Sequence, residues 1–261
     1  MRITTLVASA RRDGNTARVA AIVGERLRRL AAADDVTLEL ETVFLNDLDL
    51  RPCRGCRLCF DRGETFCPLQ DDSPSLKARI DASDAIIAAS PVYVDDVSGI
   101  MKTWIDRMAY LCHRPGLGGK PVLLLATTGG SPTRRTLGTM RLAFSTWGAC
   151  VIEARGVRGG ALTPKADLSA RHGRRFDRAA RRLLDSANGT LPLRPSFHSL
   201  LTFRIQQTAW RSESTESLDL AYWRDRGWLV PRCTFYVAHK STWPKTLAAR
   251  LAGRALARLF I

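Results

Sequence analysis

Short apolar runs and longer helical periods alternate along most of the chain. Residues 2–8, 84–89, 120–127 and 150–155 are runs of apolar and β-branched side chains, such as Pro121-Val-Leu-Leu-Leu-Ala126. Runs this short and this apolar predict strands buried on both faces. Residues 37–44 alternate well enough to predict a further strand. After the first run, Val19, Ile22, Val23, Leu27 and Leu30 share one side of a helix predicted over 16–30. Further helices are predicted over 73–82, 98–111, from the turn at 128–131 to about 147, and over 165–186. Five strands alternating with helices specify an α/β fold, a parallel sheet covered on both faces. Ligands of such sheets sit at the carboxyl ends of the strands.

The turns at those ends carry the first candidate chemistry. Ser9-Ala-Arg-Arg-Asp-Gly-Asn-Thr16 joins strand to helix through small and polar residues. Free backbone N–H groups and the helix dipole suit such a turn to a phosphate. It has neither a Walker lysine nor G-x-G-x-x-G, so triphosphate and Rossmann readings are weak. Taken alone it reads equally as an ordinary capped loop. Its convergence with Ser90-Pro-Val-Tyr-Val94 and Thr128-Gly-Gly-Ser131 at one sheet edge favours the binding reading.

Four of the seven cysteines crowd into fifteen residues as Cys53-x2-Cys56-x2-Cys59-x7-Cys67. Three readings compete. A 4Fe–4S cluster takes four thiolates, and the three-residue steps plus one nearby cysteine supply them. A structural zinc site more often uses two separated pairs. The third reading is free thiols or a reversible disulfide. The iron–sulfur reading ranks first, with Arg54, Gly55 and Arg57 easing the turn and the thiolate charge. Cys112, Cys150 and Cys233 read as inert structural thiols, and the scattered His113, His172, His198 and His239 as surface or structural residues.

Composition narrows the classes further. The 261 residues carry a formal charge of +15 and a pI near 10.3. The arginines are spread through nearly every segment, and no nucleic-acid motif accompanies them, so no nucleic-acid partner is expected. No run of eighteen apolar residues is present, and the opening residues read as a strand rather than a signal peptide. A cytoplasmic location is expected, with cysteines serving as ligands or free thiols rather than disulfides.

The motifs Ser9-x-Arg11-Arg12-x-Gly14-Asn15-Thr16, the cysteine run, Ser90-Pro91-Val92-Tyr93, and Ser98-x-x-Met101-Lys102 with Ile105-Asp106-Arg107 together resemble one family. It is the flavodoxin-like NAD(P)H-dependent FMN reductase family, and within it the iron–sulfur flavoprotein branch. The resemblance spans about residues 2–187. It implies a three-layer sandwich with strand order 2-1-3-4-5 over residues 1–189, including a Cys-rich insertion at 51–72. It implies FMN, with Ser9, Arg11, Asn15 and Thr16 on the phosphate and Arg12 adding charge or facing solvent. Pro91, Val92, Tyr93 and Val94 would border the isoalloxazine ring, and Thr128, Gly129 and Gly130 its far edge. Lys102, Asp106 and Arg107 would fix a helix and a subunit contact. Cys53, Cys56, Cys59 and Cys67 would hold the cluster, on the same edge as the flavin loops. NAD(P)H is the implied co-substrate, a ferredoxin-like protein or quinone the electron partner, and a homodimer or homotetramer the assembly. A cluster-free NAD(P)H:FMN or quinone reductase and a non-catalytic electron-carrier or redox-sensing flavoprotein are the alternatives.

A compositional shift marks residues 190–261 as an appendage, a lid, oligomer contact or surface helix. Trp210, Trp223, Trp228 and Trp243 fall there, and no acidic residue follows Asp225. Residues 244–261 predict an amphipathic helix with Leu247, Leu251, Ala255 and Leu259 in one stripe and Arg250, Arg254 and Arg258 in another. Docking of the leucine stripe on its own domain or on a second subunit is favoured over contact with an anionic membrane surface.

Overall fold

The computed structural model describes residues 1–160 and 162–260, the side chains of Leu259 and Phe260 excepted. Five strands, β1 (Arg2–Val7), β2 (Glu39–Phe44), β3 (Ala85–Pro91), β4 (Pro121–Thr128) and β5 (Cys150–Arg158), pair in parallel in the order β2-β1-β3-β4-β5. β3 and β4 are buried at every position, which accounts for their unbroken apolar runs. The edge strand β2 is only partly buried and alternates accordingly.

Successive side chains of a strand point to opposite faces, and two cores follow from this. Ile3, Val7, Ile87, Leu123 and Leu125 pack beneath α1 (Asn15–Ala33) and α6 (Lys165–Ala187). Leu6, Ala8, Ile86, Ala88 and Leu124 pack beneath α3 (Ser73–Asp81), α4 (Gly99–Arg107) and α5 (Arg134–Thr146), around Trp104, Phe144 and Trp147. A short turn of helix, α2 (Leu58–Asp61), lies within the cysteine segment. The helix predicted over 98–111 is shorter than expected. It ends at Arg107, and a 3-10 turn over Ala109–Cys112 redirects the chain.

The appendage contains α7 (Phe197–Ser212) and α8 (Leu218–Asp225), neither of which the sequence pattern predicted, before α9 (Trp243–Phe260). The side chains of Ser196 and Ser217 cap α7 and α8 by accepting from the N–H groups of Ser199 and Leu220 at 3.0 and 3.1 Å. Leu200, Phe203, Trp223, Trp228, Phe235, Tyr236 and Ala249 form a third core of their own. It docks on the segment after α4: Trp223 Nε1 donates to the His113 carbonyl, and the Tyr222 hydroxyl to that of Pro115, both at 2.8 Å.

Against its own chain α9 docks through residues other than the predicted leucine stripe. Ala249, Gly253 and Ala257 are the buried residues against α7, whereas Leu247 and Leu251 face solvent. Small residues let the two backbones approach, since a Cβ on Gly253 would lie 2.8 Å from Arg204 Cβ. Leu259, the last member of the predicted stripe, has a side chain outside the described residues.

Candidate functional site: a loop-lined sheet edge and a thiol cavity

The turn between β1 and α1 is closed by local bonds. Gly14 N donates to the Arg11 carbonyl at 3.2 Å, and the Arg11 N–H reaches Ser9 Oγ at 3.3 Å. A side chain at Gly14 would come within 3.0 Å of Arg11 Cβ, so glycine is what lets the turn tighten here. Gly14 caps α1 without a side-chain acceptor, and the first turn holds no acidic residue. The orphan N–H groups of that turn are therefore open to an anion.

The predicted phosphate side chains divide by surroundings. Ser9 is buried in the turn and Arg11 is exposed beside it. Arg12 turns aside to pair with Asp47 at 2.5 Å, its guanidinium over the Phe44 ring. Asn15 spans to the loop after β5, donating to the Gly160 carbonyl at 2.6 Å and accepting from Thr163 N at 3.1 Å. Thr16 Oγ1 meets Thr127 Oγ1 at 2.7 Å beneath the turn. The roles of Thr127 and of the Gly160–Thr163 loop were not anticipated. The glycine pair at 159–160, at the end of the last strand, was the signal available.

Pro91 at the end of β3 is buried, Val92 after it half-buried, and Tyr93 and Val94 are exposed. Val94 and Asp95 both adopt positive φ, 48° and 62°, in a tight turn closed by Tyr93 and Asp96. For a β-branched residue this is strained backbone. Asp96 holds the turn, accepting from Thr139 Oγ1 and its neighbour Val97 N at 2.7 Å and from Arg135 Nε at 3.2 Å. Burial opposes ionisation of Asp96, but these donors outweigh it and hold the carboxyl below its usual range. At the third loop Thr128 is buried and Gly129 and Gly130 are exposed, Gly130 N donating to Thr128 Oγ1 at 3.1 Å.

Cys53, Cys56, Cys59 and Cys67 all line one cavity of about 410 Å³. Its remaining walls include Phe60, Leu69, Asp81, Arg107 and Tyr110. No residue of 9–16, 91–94 or 128–130 lines it. Both α3 and α4 run back against the strand direction, and the cysteine arm lies along them. The cavity runs along α3 from Ser73 and Pro74 to Asp81 and takes in Arg107 at the end of α4. The nine residues of α4 span about 13 Å.

The arm bends through Gly55 and Arg57, both at positive φ, 65° and 66°. Arg57 pairs with Asp61 at the surface, 3.1 Å away, and it and Arg54 line the cavity. Two buried arginines also face the arm. Arg107 donates to Cys67 Sγ at 3.5 Å and to the Arg51 carbonyl at 3.1 Å, and it forms a two-pronged pair with Asp71. The Arg107 and Asp71 side chains are only 4% and 0% exposed. Burial opposes ionisation of Asp71, but the Arg51 N–H, Arg107 and the Ser73 N–H outweigh it and depress its carboxyl. Arg114 donates to the Cys59 carbonyl and to Glu64, and pairs with Asp219 of α8. Asp106 and Lys102 pair at the surface, 2.6 Å apart, leaving Arg107 as the member of that motif turned to the cysteines.

Burial, followed by the neighbouring Cys53 and Cys67, pushes the Cys59 thiol up. Gathered thiols resist ionisation unless positive charge compensates them. Among the described residues no three His, Cys, Asp or Glu side chains converge as ligands of one metal ion. Four thiols around a roomy cavity beside a buried arginine fit a multi-iron group better than a single tetrahedral ion. Cys112, Cys150 and Cys233 stand apart, their thiols raised chiefly by burial.

The strand order and the three loops at its carboxyl edge define a flavodoxin-like α/β protein. The sequence profile of the NADPH-dependent FMN reductase family matches residues 1–160, and the chain belongs to that family. An iron–sulfur flavoprotein of Archaeoglobus fulgidus is 33% identical over 149 residues, covering 57% of this chain and 64% of that protein. One from Methanocaldococcus jannaschii is 32% identical over 137 residues, covering 51% and 67%. The chain thus spans about two thirds of the length of these relatives. Among solved structures, RosB with bound 8-demethyl-8-formylriboflavin-5′-phosphate superposes with a TM-score of 0.57 at 15% identity, over 72% of this chain and 79% of RosB. That likeness is one of fold.

Proposed function

We propose that this protein is an FMN-dependent oxidoreductase that passes electrons from NAD(P)H, through FMN and a 4Fe–4S cluster, to a one-electron or quinone acceptor. The observation that carries the reading is the lining of one cavity by all four clustered cysteines, with Arg107 on Cys67. Relatives named iron–sulfur flavoproteins support it. When bound, flavin exchanges electrons in pairs or singly, and the cluster exchanges them singly. The chain's own residues supply position and charge. The turn at 9–16 offers N–H groups and Arg11 to the FMN phosphate, while Pro91–Val94 and Thr128–Gly130 border the ring. Cys53, Cys56, Cys59 and Cys67 hold the cluster, and Arg107 and Arg114 offset the thiolate charge. No side chain is required to move a proton.

Anaerobic purification tests the reading, with absorbance, iron, acid-labile sulfide and FMN measured on one sample. We expect iron and sulfide in equal amounts alongside FMN, and their joint loss with retention of FMN in Cys56→Ser. Flavin without iron or sulfide would eliminate the cluster and leave an NAD(P)H:FMN or quinone reductase. Bleaching of the flavin by reduced ferredoxin but by neither nicotinamide would make the protein an electron carrier.

A further inference from the structure

The helices α7 and α9 carry arginines and no acidic residue. Arg204 crosses under α9 at Gly253, and its side chain is buried, the residue being only 3% exposed. Among the described residues its Nε has no hydrogen-bond partner, although another guanidinium nitrogen reaches Gln207. Burial, and then the charges of Arg254, Arg250 and Arg211, push the Arg204 guanidinium down to about 10. The sequence places no acidic residue after Asp225, and among the described residues Arg250 has only the Pro231 carbonyl as partner, at 3.3 Å. A buried guanidinium beside three like charges is costly unless an anion joins them.

Apolar side chains accompany the arginines. At 100° per residue, Trp243, Leu247 and Leu251 fall on the same side of α9 as Arg250, Arg254 and Arg258. Trp243 is 74% and Leu251 56% exposed, and Leu247 is exposed as well. The small residues Ala249, Gly253 and Ala257 have already taken the docking side. What remains outward is a strip of tryptophan, leucine and arginine on one helix. A free phosphate would answer the arginines and leave the apolar strip wet. A nucleic-acid strand would call for a series of stacking aromatics, and Trp243 is the only one in the strip.

We propose that the α7–α9 face docks on an anionic lipid bilayer. Lipid phosphates sit among Arg211, Arg250 and Arg254, where their charge offsets the crowding on Arg204 beneath, and Trp243, Leu247 and Leu251 enter the boundary between headgroups and acyl chains. Among the described residues no helix is long and apolar enough to cross a membrane.

Cosedimentation of the full chain with vesicles tests this, using phosphatidylcholine alone or mixed with phosphatidylglycerol. We expect binding to the mixed vesicles only, weakened by added salt. The double variant Arg250→Glu/Arg254→Glu should lose roughly tenfold or more of the partition coefficient. Leu251→Gln should lose several-fold, with an unchanged circular dichroism spectrum in both variants and a melting temperature no lower than that of wild type. Equal binding to neutral vesicles, or full binding by either variant, overturns the proposal. So does displacement from mixed vesicles by inorganic phosphate, which would reassign the arginines to a free-anion site. Preference for a single-stranded oligonucleotide over the vesicles would reassign the face to nucleic acid.

Discussion

Thr16 and Thr127 share one hydrogen bond beneath the turn that is proposed to hold the FMN phosphate, and both side chains are buried. Removing one hydroxyl leaves the other buried without a partner, which costs about 1–3 kcal/mol. Thr16→Val should therefore destabilise the protein by about that amount in urea unfolding. Thr16→Val/Thr127→Val should recover much of the loss, because both polar groups then leave together. Equal destabilisation by the single and double variants would deny the bond its structural role. The Asp71–Arg107 pair carries a larger stake, since both groups are charged and almost wholly buried. Asp71→Ala strands the guanidinium and should cost about 3–5 kcal/mol. Arg107→Lys keeps the charge but loses the planar fork that reaches Asp71, the Arg51 carbonyl and Cys67 together. Its midpoint in urea should fall between those of wild type and Asp71→Ala.

Among elements, α9 shows how a helix with an apolar stripe finds a different seat. Leucines advertise a docking face in a sequence, but the close approach to α7 is available only to Ala249, Gly253 and Ala257. A Cβ at Gly253 would lie 2.8 and 2.9 Å from Arg204 Cβ and Cγ, closer than real contacts allow. Gly253→Val should push α9 outward and cost about 1–3 kcal/mol by overpacking, read as a lower denaturant midpoint. Leu251→Gln, on the outward side, should leave that midpoint within about 0.5 kcal/mol of wild type. Reversal of that order would return the leucine stripe to the interior. Helices α7 and α8 escaped the periodicity reading for a related reason. Their inward residues Leu200, Phe203, Leu220 and Trp223 meet a small aromatic core, and buried polar Arg204, Gln207 and Asp219 interrupt the apolar period.

At the scale of the whole molecule, what was legible in the sequence was what rests on local pattern. The β3 and β4 runs are apolar because both sheet faces are covered, and the turn at 9–16 is small and polar because a helix must start there. The cysteine spacing exposed the thiol cavity for the same reason. Arg107, Arg114 and Asp219 were not legible as partners of the cysteine arm, because a pairing across forty or more residues leaves no period. The Arg114–Asp219 pair is nevertheless where the appendage reaches that arm, since Arg114 also holds the Cys59 carbonyl. Asp219 further accepts from or pairs with His113 Nδ1 at 2.8 Å. Burial opposes its ionisation, but His113 and Arg114 outweigh it and hold the carboxyl below its usual range. A depressed carboxyl contributes stability that is present above the unfolded value of about 3.9 and lost as pH falls through the folded value. Docking of the appendage should therefore weaken in acid below about pH 4, exposing Trp223 and shifting tryptophan emission to the red. Asp219→Asn should dock more weakly at neutral pH and lose that part of the acid response, while the steps due to Asp71 and Asp96 remain. An acid transition of the same size and midpoint in wild type and Asp219→Asn would show that the appendage is held by its apolar contacts alone.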